Sequence, residues 1–551
     1  LVLPGCQRNS GVALIAQGRW ADAVLSLRAS LELDETCTLA REHLAFALEN
    51  SGQDQQALKQ YELAVPNSER PARLLRRMAI IHTKFGRIAK AVDLLERARA
   101  IAPDSAEILS DLGHARASLG DVSIALDLLS QAVKHDPNSL VTWSRLLHTS
   151  MYESSRSADE IFQLHVQAGS AVAPALPATA VRARTSDRIR VAYLSPDFCG
   201  HSVMAQIEPV LRLHDRSRFE VICYSDTRRR DETTLRLQRM NLVWRETAST
   251  SDRALVEQIQ ADRIDILVDL AGHTGRGRLG VLASRPAAIQ ISAFGYPNTT
   301  GLSAVDYRIT DSFTDPPGCA DRLYTEKLLR LEPCFFCYQP PCKVEISLAR
   351  TPSTDRFLFC SFNALPKISI QVIDLWAAIL KKVPDTQLML KALEFAEPEA
   401  ESRILARFAE RGVPPERILV LPPLAERAAH LGLYNLADCA LDTFPYSGTI
   451  TSCEALWMGI PVVSMPGEAH VSRVTGSILA AAGLPELIAE SPEAYVDLAV
   501  RQALRGKRSL AERSSLRETM RQSDLMACEK YVRKLEAAYE SGNGLTPRAP
   551  G

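Results

Sequence analysis

The sequence predicts an α-solenoid of helical repeats followed by two Rossmann-like α/β lobes. Three observations predict it. Gly18, Gly52, Gly86 and Gly120 recur every 34 residues, in step with Ala23, Ala57, Ala91 and Ala125. From residue 190 onward, short β-rich runs alternate with amphipathic helical segments, the pattern of a mostly parallel, doubly wound sheet. Between the two lies a stretch at 172–187, rich in Ala, Pro, Thr and Arg, with no sustained apolar period, which reads as a linker.

The fixed 34-residue period is the tetratricopeptide signature. In the clearest unit Leu112 and Gly113 lie in the first helix and Gly120 with Asp121 makes the turn; Ala125, Leu129 and Ala132 form the inner face of the second helix, which Asp136 and Pro137 end. Gly86, Ala91, Leu95, Ala98 and Pro103 repeat the plan. Small residues allow helices to approach closely, and Pro ends each pair. The first unit departs by carrying Ser30 in place of the final Ala, and the second has its Pro out of register. Two more helices are predicted at 143–151 and 158–169, capping the stack and joining it to the rest, so the array is expected to span 1–171. Such an array has no chemistry of its own. Its concave face binds peptide or partner protein, with a spacer or oligomerisation surface, a homodimer included, as the alternative.

After the linker at 172–188 the first lobe is expected over 189–345, with strands at 190–195, 219–224, 264–270 and 288–292. The second is expected over 352–540, with strands at 357–362, 387–391, 418–421, 440–442 and 462–464 and helices at 371–382, 399–411, 425–436 and 452–458. Two consecutive open α/β domains leave a cleft at the carboxyl ends of their strands, where ligands sit.

Composition excludes several classes. The 551 residues carry 64 Lys+Arg against 65 Asp+Glu, a formal charge of −1, so the basic footprint of a nucleic-acid or anionic-membrane binder is absent. Charged or polar residues interrupt every apolar run before the roughly 18–20 residues of a membrane span. Twelve cysteines, mostly inside apolar segments, fit reduced thiols in a cytoplasmic protein rather than a disulfide scaffold. Cys334, Cys337 and Cys342 could be offered as zinc ligands, but with aromatic neighbours they read as buried packing. The start, LVLPGC (1–6), lacks Met and the pattern of a signal peptide, and is read as truncated or processed.

The most informative stretch is DTFPYSGTITSCEALW (442–457), in which a strand ends, a Gly-hydroxyl run follows and a helix starts. Unpaired N–H groups at a helix N-terminus seat phosphate. Gly448 would let it approach, Thr449, Thr451 and Ser452 would add hydroxyl donors, and Glu454 would accept from ribose hydroxyls. Simple N-capping by Thr or Ser is the alternative. Lys367, between a strand and a helix, is either a ligand-binding or a solvated charge.

The motifs SFNALPK (361–367), LDTFPYSGTITSCEALWMGIP (441–461), GHT (272–274), GYPNTTG (295–301) and VDYRITDS (305–312) resemble the protein O-glycosyltransferases of the O-GlcNAc transferase and SPINDLY type, in wording nearest the SPINDLY branch. The resemblance runs over essentially the whole chain, repeats included. It implies a GT-B fold and inverting transfer of a single sugar, without a metal ion or other cofactor, from a nucleotide donor to Ser or Thr hydroxyls of proteins. Within it Lys367 matches a basic residue at the donor diphosphate, and His201 matches an active-site His whose role as base is open. His273 or Asp269 would touch acceptor or sugar, or serve structure. His430 matches a His near the nucleotide base, and Arg427 stands where the O-GlcNAc branch has a Lys near the ribose. Thr449 and Ala364 depart from that branch, replacing a His and a Gln near the phosphates, yet keep the SPINDLY pattern. The family inference favours UDP-GlcNAc as donor, with GDP-fucose, used by relatives of the SPINDLY branch, as the alternative. A third reading is a repeat scaffold whose catalytic half has decayed.

Overall fold

The computed structural model describes residues 4–177, 187–340, 344–345 and 356–540. Most of the expected linker and Cys342 lie outside the described residues. By their contacts the residues up to Pro137, with Ala396–Ala400, form one unit, and those from Asn138 onward form another.

The first unit is built of four helix pairs: Pro4–Ala16 with Trp20–Leu33, Thr38–Asn50 with Asp54–Ala64, Pro71–Lys84 with Ile88–Ile101, and Ala106–Ser118 with Val122–His135. Gly18, Gly52, Gly86 and Gly120 close the turn inside each pair at φ of +72°, +78°, +76° and +76°, a left-handed conformation that glycine adopts without a Cβ penalty. Ala23, Ala57, Ala91 and Ala125 are fully buried where the paired helices cross. Ser30 is equally buried, so the departure in the first unit keeps the small volume that the crossing demands.

The second unit begins with the helices Leu140–Ser150 and Ala158–Ala171. By their contacts these two helices group with the α/β part of the chain. His165, fully buried, lies 2.6 Å through Nε2 from the Tyr296 hydroxyl. Close approach is the cause: a Cβ on Gly169 would fall 2.0 Å from the Gly301 carbonyl oxygen, and one on Gly301 2.0 Å from that of His165.

Two parallel sheets follow. The first contains β1 (Ile189–Ser195), β2 (Phe219–Ser225), β3 (Val243–Glu246), β4 (Ile266–Asp269), β5 (Ile289–Ser292), β6 (Tyr307–Thr310) and β7 (Lys327–Arg330), in the order β3-β2-β1-β4-β5-β6-β7. The second contains β8 (Phe357–Ser361), β9 (Thr386–Lys391), β10 (Ile418–Leu421), β11 (Cys439–Leu441) and β12 (Val462–Val463), in the order β10-β9-β8-β11-β12. All pairings between these strands are parallel. The predicted strands are present within a residue or two of their expected ends. Three strands of the first sheet lie outside the expected set: β3 and β7 are half-exposed, with charged ends, and β6 carries Arg308, which is 1% exposed and donates to the Asn298 carbonyl at 2.7 Å.

The last described helix, Cys528–Glu540, follows the second sheet in sequence but packs on the first lobe, where Tyr531 donates to the Phe335 carbonyl at 2.6 Å and buried Glu536 accepts the Asp215 N–H at 2.7 Å. A second tie is the buried ion pair of His470 with Asp315 at 2.7 Å. Its partner holds the Asp315 carboxyl down at about 2, against the opposing effect of burial.

The Gly169/Gly301 contact generates a test. Gly301→Ala combines φ of +73° with the clash on His165 and should cost about 2–4 kcal/mol. Gly483→Ala has a similar φ of +76° but open space around it and should cost about 1 kcal/mol. Urea denaturation compares them; equal losses would remove the packing explanation.

Candidate functional site

In each sheet the strand order reverses beside the first strand, between β1 and β4 and between β8 and β11. Crevices at such switch points, outside the carboxyl ends, hold ligands in open α/β sheets. His201 follows β1, Asp269 ends β4 with His273 just beyond, Lys367 follows β8, and the Gly-hydroxyl run follows β11. The structure sorts these residues into three groups.

The first group surrounds the Lys367 ammonium. Its Nζ donates to the Ser447 carbonyl at 3.0 Å and lies 4.0 Å from the centroid of the Tyr446 ring. Removal from water lowers its pKa to about 8, with the Asp442 carboxylate opposing that shift. Asp442 is buried at the end of β11, accepting the Gly448 N–H at 2.7 Å and the Ser464 hydroxyl at 2.6 Å, and burial raises its pKa.

The Gly448 N–H donates to Asp442, and a Cβ there would meet Ser452 Oγ at 2.4 Å and Thr451 Oγ1 at 2.9 Å. The helix starts two residues earlier than expected, at Ile450–Trp457. Thr449 is its N-cap but makes no side-chain capping bond. The Thr451 hydroxyl donates to Asn363 Oδ1 at 3.1 Å, and those of Ser452 and Thr475 pair at 3.0 Å.

A second group gathers on Glu454, one turn further along that helix. The expected helix at 425–436 is an α-helix only over Arg427–Gly432 and continues as a tighter turn over Leu433–Leu436, with Arg427 and His430 on one face as expected. Arg427 Nη2 donates to Glu454 Oε1, and His430 Nε2 lies 3.0 Å from Glu454 Oε2. The Glu454 side chain is 1% exposed. Its two carboxylate oxygens meet Arg427 and His430, the pairing that burial of a carboxyl demands.

Sequence reasoning missed Lys391. It ends β9, and its Nζ lies 2.8 Å from His430 Nδ1. An ammonium only donates, so the His430 proton belongs on Nε2, facing Glu454. A basic residue closing an otherwise uncharged parallel strand was the available signal. His201, Arg229, Arg236, Lys391, Arg427 and His430 are among the residues lining a cavity of about 720 Å³. The His201 side chain is half exposed there, and its Nδ1 accepts the Val203 N–H at 3.4 Å.

Asp269 and His273 form the third group and do not line that cavity. Asp269 is buried, and its carboxylate accepts the N–H groups of Ala271 and Gly272 at 3.3 and 2.7 Å, closing the turn after β4. Burial pushes its pKa up to about 6. His273 is 2% exposed, 2.8 Å through Nε2 from the Thr300 carbonyl and 3.4 Å through Nδ1 from Ser144 Oγ. Burial lowers its pKa to about 4.

Cys334 and Cys337 are buried, and among the described residues no three His, Cys, Asp or Glu side chains are grouped to hold a metal ion. Nor, among them, is any helix long and apolar enough to cross a membrane.

The profile described as Glycosyl transferase family 41 matches residues 172–339 and 349–535. The chain belongs to glycosyl transferase family 41. A tetratricopeptide repeat profile matches 82–147. The Oryza sativa subsp. japonica protein named "Probable UDP-N-acetylglucosamine–peptide N-acetylglucosaminyltransferase SPINDLY" is 37% identical over 414 residues, 74% of this chain and 45% of that protein. The Arabidopsis thaliana protein of the same description named SEC is 33% identical over 364 residues, 64% of this chain and 37% of the relative. The chain thus spans less than half the length of these relatives. A mutant of the Thermobaculum terrenum O-GlcNAc transferase superposes with a TM-score of 0.83 at 33% identity, covering 92% of this chain and 97% of that one. The family's GT-B arrangement is therefore the fold of this member.

The state of Lys367 gives a pH signature. Its ammonium is charged below about 8 and neutral above, so a diphosphate held by it is released as pH rises. Calorimetric titration of UDP and of GDP from about pH 7 to 9 should show affinity falling several-fold in the wild type and little change in Lys367→Met. A flat wild-type profile would take the ammonium out of the site.

Proposed function

We propose that this chain is a protein O-glycosyltransferase that moves one sugar from a nucleotide donor to Ser or Thr hydroxyls of proteins in the cytoplasm, with inversion and without a metal ion or other cofactor. The observation that carries the reading is the Lys367 ammonium, held where the loops after β8 and β11 meet, beside the N-terminus of the helix Ile450–Trp457. The acceptor oxygen forms a bond to the anomeric carbon as the bond from that carbon to the diphosphate oxygen breaks, and the hydroxyl proton passes to water. Negative charge grows on the departing diphosphate, and a fixed cation there stabilises the transition state more than the ground state. Arg427, His430 and Glu454 would hold the nucleoside. His201, on the cavity, enters as an orienting hydrogen-bond donor, since the Val203 N–H on Nδ1 favours the proton on Nε2 in the neutral ring.

UDP-GlcNAc is the proposed donor, in keeping with the names of the relatives. GDP-fucose is the second candidate, because Thr449 and Ala364 follow the SPINDLY pattern. Acceptor proteins would be presented by the repeats.

Incubation with UDP-GlcNAc, GDP-fucose or UDP-glucose, followed by intact-mass analysis of acceptor peptides, should give a single-sugar shift with one donor. Lys367→Ala should lower that rate by about 10²–10³. Binding of every donor without transfer would favour the decayed scaffold. Removing residues 1–137 should depress transfer to folded proteins far more than hydrolysis of the donor; equal losses would make the repeats merely structural.

A further inference from the structure

We propose that His148 and Tyr152 are positioning residues for Lys367, acting through the ring of Tyr446. They close the helix Leu140–Ser150 and the turn after it. They also lie between the two matched segments, the repeat profile ending at 147 and the family profile beginning at 172, so neither profile assigns them a role.

The contacts form a chain. The Tyr152 hydroxyl lies 2.9 Å from His148 Nε2. The Tyr152 ring stacks on that of Tyr446, with centroids 5.3 Å apart and planes at 24°, and the His148 ring lies 6.0 Å from Tyr446. On Tyr446 rests the Lys367 ammonium, 4.0 Å from the ring centroid. Met151, between the two residues, is buried against Tyr296 and Val471, with Tyr446 packed on the same cluster.

The backbone around Tyr446 is already fixed. Its carbonyl accepts from Thr443 Oγ1 at 2.7 Å, the Phe444 carbonyl from Ser369 Oγ at 2.9 Å, and Ser447 N donates to the Val471 carbonyl at 3.1 Å. What those bonds leave to be settled is the tilt of the ring, and the stacked partner settles it. An ammonium has three donors. One goes to the Ser447 carbonyl, the ring face covers another side, and the remaining direction serves a ligand oxygen. A cation over an aromatic face is attracted by the ring's quadrupole, which favours one rotamer of a flexible lysine. Other titratable groups around this column are Asp442, at the end of β11, Glu394, which accepts the Leu365 N–H at 3.4 Å and whose pKa burial raises, and Tyr296, whose pKa burial also raises.

The inference rests on the proposed transfer reaction for its kinetic arm only. Tyr152→Leu keeps bulk but removes the ring and its hydroxyl; Tyr152→Phe keeps the stack. With the donor found active, Tyr152→Leu should lower kcat about 10-fold or more through misplacement of Lys367 with KM changed less than threefold, while Tyr152→Phe stays near wild type. Competitive acetylation of ligand-free protein with acetic anhydride across pH, read at the Lys367 peptide, needs no donor. The wild-type midpoint should lie near 8; in Tyr152→Leu it should rise toward the free-lysine value as water reaches the ammonium, and in Tyr152→Phe it should not move. An unchanged midpoint in Tyr152→Leu overturns the proposal, whatever the donor assay gives. A shifted midpoint in a protein that turns over no donor would uphold the positioning and defeat the transferase reading.

Discussion

A lysine ammonium withdrawn from water is the constraint around which the second lobe is arranged. Burial works against the charge on Lys367, and three features make its place tolerable: a carbonyl acceptor, an aromatic face, and the Asp442 carboxylate nearby. Asp442 in turn is tied to Gly448 and Ser464, which fixes the loop from β11 into the helix Ile450–Trp457. That loop supplies both the carbonyl and the ring. A group so desolvated interacts strongly with a charge that develops beside it, which is the quality a departing diphosphate would exploit.

The second polar centre obeys the same rule with the sign reversed. The Glu454 carboxyl sits in a site that is 1% exposed, and Arg427 and His430 meet it from a neighbouring helix. Lys391 completes the set by facing the remaining nitrogen of His430. Thr451 and Glu454 share one helix about a turn apart, so the spacing of their side chains is set by helical rise.

The sequence made the roles of residue types legible but not their partners. Glu454 and Gly448 stand out in the sequence, yet each is engaged by a side chain that local sequence does not place: Arg427 and His430 for the one, Asp442 for the other. Asp269 and His273 stood out because they follow a strand end. That position is shared by residues that face a ligand and residues that close a turn, and the backbone N–H groups on Asp269 are visible only in three dimensions. The two helices after the repeats were legible as helices, whereas their allegiance to the first lobe depended on the contact of Gly169 with Gly301, 132 positions away in the chain.

By itself, then, the sequence determined what short-range physics controls. Every 34th residue is a glycine because each helix pair needs one left-handed turn, and the strands and helices of the lobes follow from apolar periodicity and from the residues that end them. The motifs were enough to predict the family. Tertiary structure alone decided which polar groups pair, that Cys528–Glu540 crosses back to the first lobe, and that Tyr152 reaches Tyr446. The physical reason is that burying a charge or a ring is satisfied by whichever group the fold brings within a few ångströms, and chain separation carries no information about that distance.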